Sequence, residues 1–181
     1  MSKTYSTAVV LVPPQDVWPA IQAIRQQYDR HFGRWMPHIT LLYPFRPRED
    51  WPSILEQLEE ACRRTAPIRV KLATFRTFRH RNSFTIWLAP EPREALVNLQ
   101  SALWQTVPDC DDARRHRNGF TPHLSVGQVQ GREQVNQFVT GLQEEWTPIQ
   151  FRASEIQLIW RNDPPDDVFR VGHRISLGRG R

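Results

Sequence analysis

Cysteine is scarce in this chain. Its 181 residues hold two, Cys62 and Cys110. Neither has a Cys-x-x-Cys partner or a His/Cys cluster nearby, which argues against a disulfide scaffold and against a zinc site. Long apolar runs are also missing, and none approaches the roughly 20 residues that a membrane-crossing helix needs. There is no Gly-x-Ser-x-Gly elbow, so a serine hydrolase built on a strained turn is a poor fit. Low-complexity tracts and Pro/Gly/Ser-rich linkers are absent, and the opening segment from Met1 to Ser6 has no signal-peptide layout. These absences lead to the expectation of a soluble, cytoplasmic, monomeric protein with no membrane partner.

What is present points to a packed globule. Hydrophobic residues make up 39% of the chain, which carries seven Trp and nine Phe. That is enough for a single domain over residues 1–181 with a substantial core. The formal net charge of +5 suits an anionic partner such as RNA or a nucleotide.

Periodicity sets the order of elements. A strand over 7–12 leads to a helix over 15–29, then a strand over 37–45 and a helix over 49–65. Strands over 68–78 and 84–88 form a hairpin, followed by a helix over 91–106 and a polar loop over 108–119. A strand over 123–129, a helix over 132–146 and a closing pair of strands over 149–160 and 168–177 complete the chain. This layout, roughly one half repeated, predicts an α+β protein with two sheet-based lobes facing each other.

Two tetrapeptides occupy comparable places in the halves: Pro37-His38-Ile39-Thr40 and Pro122-His123-Leu124-Ser125. Side chains two apart on a strand share a face. Each motif therefore presents an imidazole beside a hydroxyl, with Ile39 or Leu124 turned into the core. Two imidazoles can supply a base and an acid near neutrality, and two hydroxyls can hold the oxygens of a phosphate. This inventory needs neither metal nor cofactor. A strand-opening histidine alone is more often structural; the matched pair is what carries weight.

With these motifs in this β/α order, the chain resembles the 2H phosphoesterase superfamily, also called 2′–5′ RNA ligase-like. The resemblance runs over nearly the whole chain. It implies a bilobal fold of two antiparallel-rich sheets with pseudo-twofold symmetry around a central groove and helices outside. It also implies metal-free opening of 2′,3′-cyclic phosphates, or cleavage of related linkages, on RNA ends or small nucleotides. His38 and His123 become the catalytic pair, and Thr40 and Ser125 the phosphate-holding hydroxyls. Several RNA-ligase-like members carry an arginine shortly after the second motif, where this chain has Gln128, a donor without charge. A nucleotide- or RNA-binding module with little catalysis is the competing expectation.

Other candidates for substrate contact follow from position. Arg115 lies in the basic stretch Arg114-Arg115-His116-Arg117 that feeds the second motif, and Arg76, Arg79, His80 and Arg81 surround the hairpin loop. Either cluster could grip a phosphate backbone. Tyr43 and Phe45 share the face of Thr40 only if strand alternation is interrupted. Pro44 makes such a bend plausible, although core packing is the commoner fate of Phe45. Trp160 and Arg161, before the turn Asn162-Asp163-Pro164-Pro165-Asp166, are expected to border the groove.

Overall fold

The structure, a computed structural model, describes residues 2–110, 112 and 119–178. Among these residues, eight strands and four α-helices follow the predicted order with one strand more than expected: β1 (Thr7–Leu11), α1 (Trp18–Tyr28), β2 (Ile39–Leu42), α2 (Leu55–Arg63), β3 (Ile68–Arg79), β4 (Ser83–Glu91), α3 (Arg93–Thr106), β5 (Leu124–Gln130), α4 (Arg132–Glu145), β6 (Ile149–Ala153), β7 (Glu155–Trp160) and β8 (Arg170–Ser176). The helix expected over 49–65 is preceded by a 3-10 stretch, Arg48–Ser53, that contains Pro52. Proline lacks the N–H that an α-helical interior requires, so α2 starts beyond it.

The strands form two four-stranded sheets, ordered β2-β1-β7-β8 and β5-β4-β3-β6, with every pairing antiparallel. This corrects the expected closing strand over 149–160 in one respect. The run breaks at Ser154, and its two pieces join different sheets: β6 pairs with β3, and β7 pairs with β1. The lobes are therefore not the two sequence halves. The β3–β4 hairpin belongs with the second motif, and the last two strands return to the first.

One core lies beneath both sheets. Val9 and Leu41 of the first pack in the same cluster as Leu72, Ile86 and Val126 of the second. Ile21, Leu58 and Leu99 supply the helical side of it. Each such side chain contributes about 1.5–3 kcal/mol by leaving water. A second cluster, Ala8, Val10, Ile159 and Phe169, covers the opposite face of the first sheet and includes no helical residue. All five residues of β1 are buried for this reason: core on one face, this cluster on the other.

Cys62 and Cys110 are both free and buried. Burial pushes the Cys62 thiol up to about 12. Among the described residues no helix is long and apolar enough to cross a membrane.

α1 is seated on β5 by a close approach at Gly127. A Cβ there would lie 2.6 Å from the Cβ of Tyr28 and 3.1 Å from its carbonyl oxygen. Backbone cannot yield as a flexible side chain does, so Gly127→Ala is expected to cost about 1–3 kcal/mol in denaturant unfolding. A change within 0.3 kcal/mol, on the order of a neutral surface substitution, would contradict that packing.

Candidate active site

His38 and His123 each stand one residue before their strands, β2 and β5, and each follows a buried proline. β2 and β5 each lie at one edge of their sheet. The rings are held alike. His38 Nδ1 lies 2.7 Å from the Met36 carbonyl oxygen, and His123 Nδ1 lies 2.8 Å from that of Thr121. A carbonyl can only accept, so Nδ1 carries a hydrogen in both cases. The basic nitrogen of each neutral ring is therefore Nε2.

The rings differ in surroundings. Trp35 stacks on His38 at 4.6 Å and 19°, and Phe169 backs Trp35 at 3.8 Å and 28°. His123 instead meets the edge of Phe78 at 5.0 Å and of Trp87 at 5.9 Å. His38 keeps part of its surface open, yet desolvation among these rings lowers its pKa to about 4. The Met36 carbonyl pulls upward, the Arg25 and His123 charges push further down, and Asp29 pulls up. His38 thus feels His123 directly across the lobes, and is neutral at physiological pH.

Thr40 and Ser125 are half-buried, and neither hydroxyl has a hydrogen-bond partner among the described residues. A backbone irregularity in each strand then extends the site. Val9 pairs with Leu42 and Val10 with Thr40, leaving Leu41 as an extra residue in β2. Ile86 pairs with Gly127 and Trp87 with Ser125, leaving Val126 extra in β5. A bulge flips the alternation beyond it. In the first lobe it sends Leu41 and Leu42 both into the core, and Tyr43 joins Val10 on the Thr40 face. In the second it sets Gln128 opposite Thr85, on the Ser125 face. Both bulges fall three residues after their histidine.

Gln128 is already engaged there. Its Oε1 accepts from the Arg30 backbone N–H at 3.1 Å, and its Nε2 donates to Asp29 Oδ1 at 3.3 Å. Asp29 in turn pairs with buried Arg25, whose Nη2 donates to the Trp35 carbonyl at 2.9 Å. One polar network therefore runs from β5 through α1 to the ring stacked on His38. Burial lowers the Arg25 pKa, against the opposing pull of Asp29.

The remaining candidates separate. Arg161 sits on the groove side, its Cζ 5.6 Å from the Phe169 ring centre, and its charge is felt by Tyr43. Two expectations are corrected. Phe45 is 0% exposed in the main core, bridged by its backbone to Thr4, so it cannot touch a ligand. Trp160 pairs with Thr7 on the core-facing side of the first sheet, between Arg48 at 4.3 Å and Arg170 at 5.9 Å. Strand alternation sends Trp160 and Arg161 to opposite faces. Arg115 and its basic neighbours lie outside the described residues. Trp35, Phe78, Trp87, Arg25 and Asp29 are site residues that the motifs alone do not mark. The available signal was period two along β4, which puts Trp87 on the face of Thr85.

Two antiparallel sheets with helices behind them are the fold of the 2H phosphoesterase class. The family model of the 2′-5′ RNA ligase superfamily matches residues 13–165, and the chain belongs to that superfamily. A Geobacillus kaustophilus protein whose name reads "Putative phosphoesterase" is 30% identical over 120 residues, 66% of each chain. A Halalkalibacterium halodurans protein of the same description is 26% identical over 172 residues, covering 94% of this chain and 96% of the relative. Among solved structures, a Thermus thermophilus protein superposes with a TM-score of 0.67 at 19% identity, over 97% of this chain and 100% of its own. Escherichia coli LigT in apo form gives 0.63 at 15%, over 98% and 100%. LigT has also been solved with 3′-AMP, and that structure matches at 0.57 and 15%, over 97% and 99%.

Proposed function

We propose that this protein is a metal-independent phosphodiesterase that opens 2′,3′-cyclic phosphates, or related 2′–5′ linkages, on RNA ends or small nucleotides. The observation that carries the reading is the matched fixing of both imidazoles through Nδ1, each two residues before a hydroxyl on the same strand face. His38, held neutral by burial, is the base: its Nε2 takes a proton from water as the oxygen attacks phosphorus. His123, in its protonated form, is the acid: its Nε2–H passes to the ribose oxygen as the P–O bond breaks. Thr40 and Ser125 donate to the nonbridging oxygens, where charge grows. The product is a phosphomonoester, and solvent restores both rings by moving one proton from His38 to His123. Capture of 3′-AMP by LigT supports a nucleotide-shaped ligand for such a groove.

The decisive assay is turnover of cyclic-phosphate-ended oligonucleotides and 2′,3′-cyclic nucleotides in excess chelator. Loss of turnover on chelation overturns metal independence. The competing reading, a binding module, draws on Gln128 standing where charge would help, with its amide spent on Asp29 and Arg30. It requires nucleotide or RNA binding with no conversion in that assay.

The pH profile tests the assignment of roles. Because kcat/KM reports the free enzyme, its acid limb follows the protonation of His38. Activity is expected to hold as pH falls from 7 to about 5, then decline with an apparent pKa near 4. An acid limb centred near the ordinary histidine value of about 6.5 would remove His38 from the role of base.

A further inference from the structure

The register of the second sheet places an unexpected set of side chains on the face that carries Ser125. Arg76 pairs with Trp87, which pairs with Ser125, so the three lie in one transverse row. Phe78, Thr85 and Gln128 form the row beside it. Ala73 is an extra residue in β3, which keeps Lys71 and Arg69 on the same side as Arg76. Lys71 pairs with Gln150, and Arg69 with Arg152. Arg69, Lys71, Arg76 and Arg152 are all exposed, and none has an ion-pair partner among the described residues. The carboxylate facing this row is Glu91, opposite Lys71.

Directly opposed like charges destabilise an antiparallel pair. The Arg69–Arg152 apposition therefore works against the fold. It is relieved when an anion lies across it. Strands stand about 4.8 Å apart and rise about 3.3 Å per residue, so the basic row begins roughly 10 Å from Ser125 and continues for about 20 Å along β3. Phe78, part-exposed and stacked on Trp87 at 4.6 Å, provides an aromatic surface next to His123 where the row meets the groove.

From this arrangement we infer that the open face of the second sheet is the track for a single RNA strand, whose 3′ end enters the groove at His123 and Ser125. Several nucleotides of backbone cross Arg76, Lys71, Arg69 and Arg152, and a base near the end stacks on Phe78. A cationic lane combined with aromatic platforms is how sheet surfaces hold single strands without reading sequence. The inference deepens the phosphodiesterase reading and rests on it for which end of the strand meets the histidines. It makes a polynucleotide, rather than a free nucleotide, the preferred substrate.

Fluorescence anisotropy with a ten-nucleotide RNA ending in a 3′-phosphate tests the track without requiring turnover. In Arg69→Gln/Arg152→Gln, the ratio of decamer affinity to 3′-phosphorylated mononucleotide affinity should fall roughly tenfold at low salt. The slope of log affinity against log salt should become shallower by about 1.4, the loss of two single-strand phosphate contacts. Lys71→Gln/Arg76→Gln should behave likewise, which guards against a defect peculiar to one variant. Arg63→Gln/Arg64→Gln, at the C-terminal end of α2, should leave the ratio unchanged. The first variant should also melt about 1–2 °C higher once the opposed charges are gone. Unaltered decamer affinity and salt slope in both sheet variants overturns the track. So does displacement of the RNA by polyglutamate at equal charge concentration, which would mark a dock for acidic protein. If anisotropy divides as expected while cyclic-phosphate ends are never opened, the strand track stands and the proposed chemistry alone falls.

Discussion

His38→Ala and His123→Ala are each expected to lower kcat on a 2′,3′-cyclic phosphate by about 10²–10⁴-fold, the range for a positioned general acid or base. The two imidazoles serve one displacement at phosphorus, His38 taking a proton from water and His123 giving one to the leaving oxygen. The double variant should therefore fall little below the worse single, because groups acting as a unit lose their effect together. Both single variants should bind 3′-AMP, since the Thr40 and Ser125 hydroxyls remain. Turnover within tenfold of wild type in either alanine variant would sink the paired-histidine mechanism. Circular dichroism on the same samples guards His38→Ala, whose ring fills space against Trp35.

Asp29→Ala is expected to cost about 3–5 kcal/mol of unfolding free energy, the penalty for leaving a buried charge without its partner. Arg25 is 2% exposed, and its guanidinium would lose the carboxylate beside Nε and Nη2. Replacing both members, as in Arg25→Met/Asp29→Leu, should recover most of that stability, because a buried ion pair contributes little beyond its own desolvation. Activity should not recover with it. Arg25 holds the Trp35 carbonyl, and Asp29 holds Gln128 of β5, so the double variant loses the link between His38 and the second lobe. The measurements are urea unfolding and kcat on the same preparations. Recovery of both together would reduce the network to a packing element. A loss below about 1 kcal/mol in Asp29→Ala would mean that water reaches Arg25.

Much of the architecture was legible because burial writes itself into periodicity. Val17 to Ile24 repeat at helical spacing, and α1 forms there. The motif strands alternate, and Ile39 and Leu124 are 0% exposed as their placement required. What was not legible depended on register. Tyr43 and Gln128 reach the faces of Thr40 and Ser125 only through bulges at Leu41 and Val126, and nothing in a local apolar run marks where a bulge falls. Trp160 departs from expectation because neighbouring strand residues face opposite sides, so Trp160 and Arg161 do not both border the groove. The break at Ser154, which sends β6 and β7 to different sheets, arises from the competition of distant strands for partners.

The sequence by itself determined that this chain has two lobes and that each carries a histidine two positions from a hydroxyl, since strand geometry puts such pairs on one face wherever the strand goes. Only the tertiary structure decided that His38 lies close enough to feel charge on His123, that burial lowers the His38 pKa, and that Arg69 and Arg152 stand opposed on the face leading to Ser125. Those outcomes depend on desolvation and on cross-strand register, which are properties of neighbours that the chain brings from far along its length.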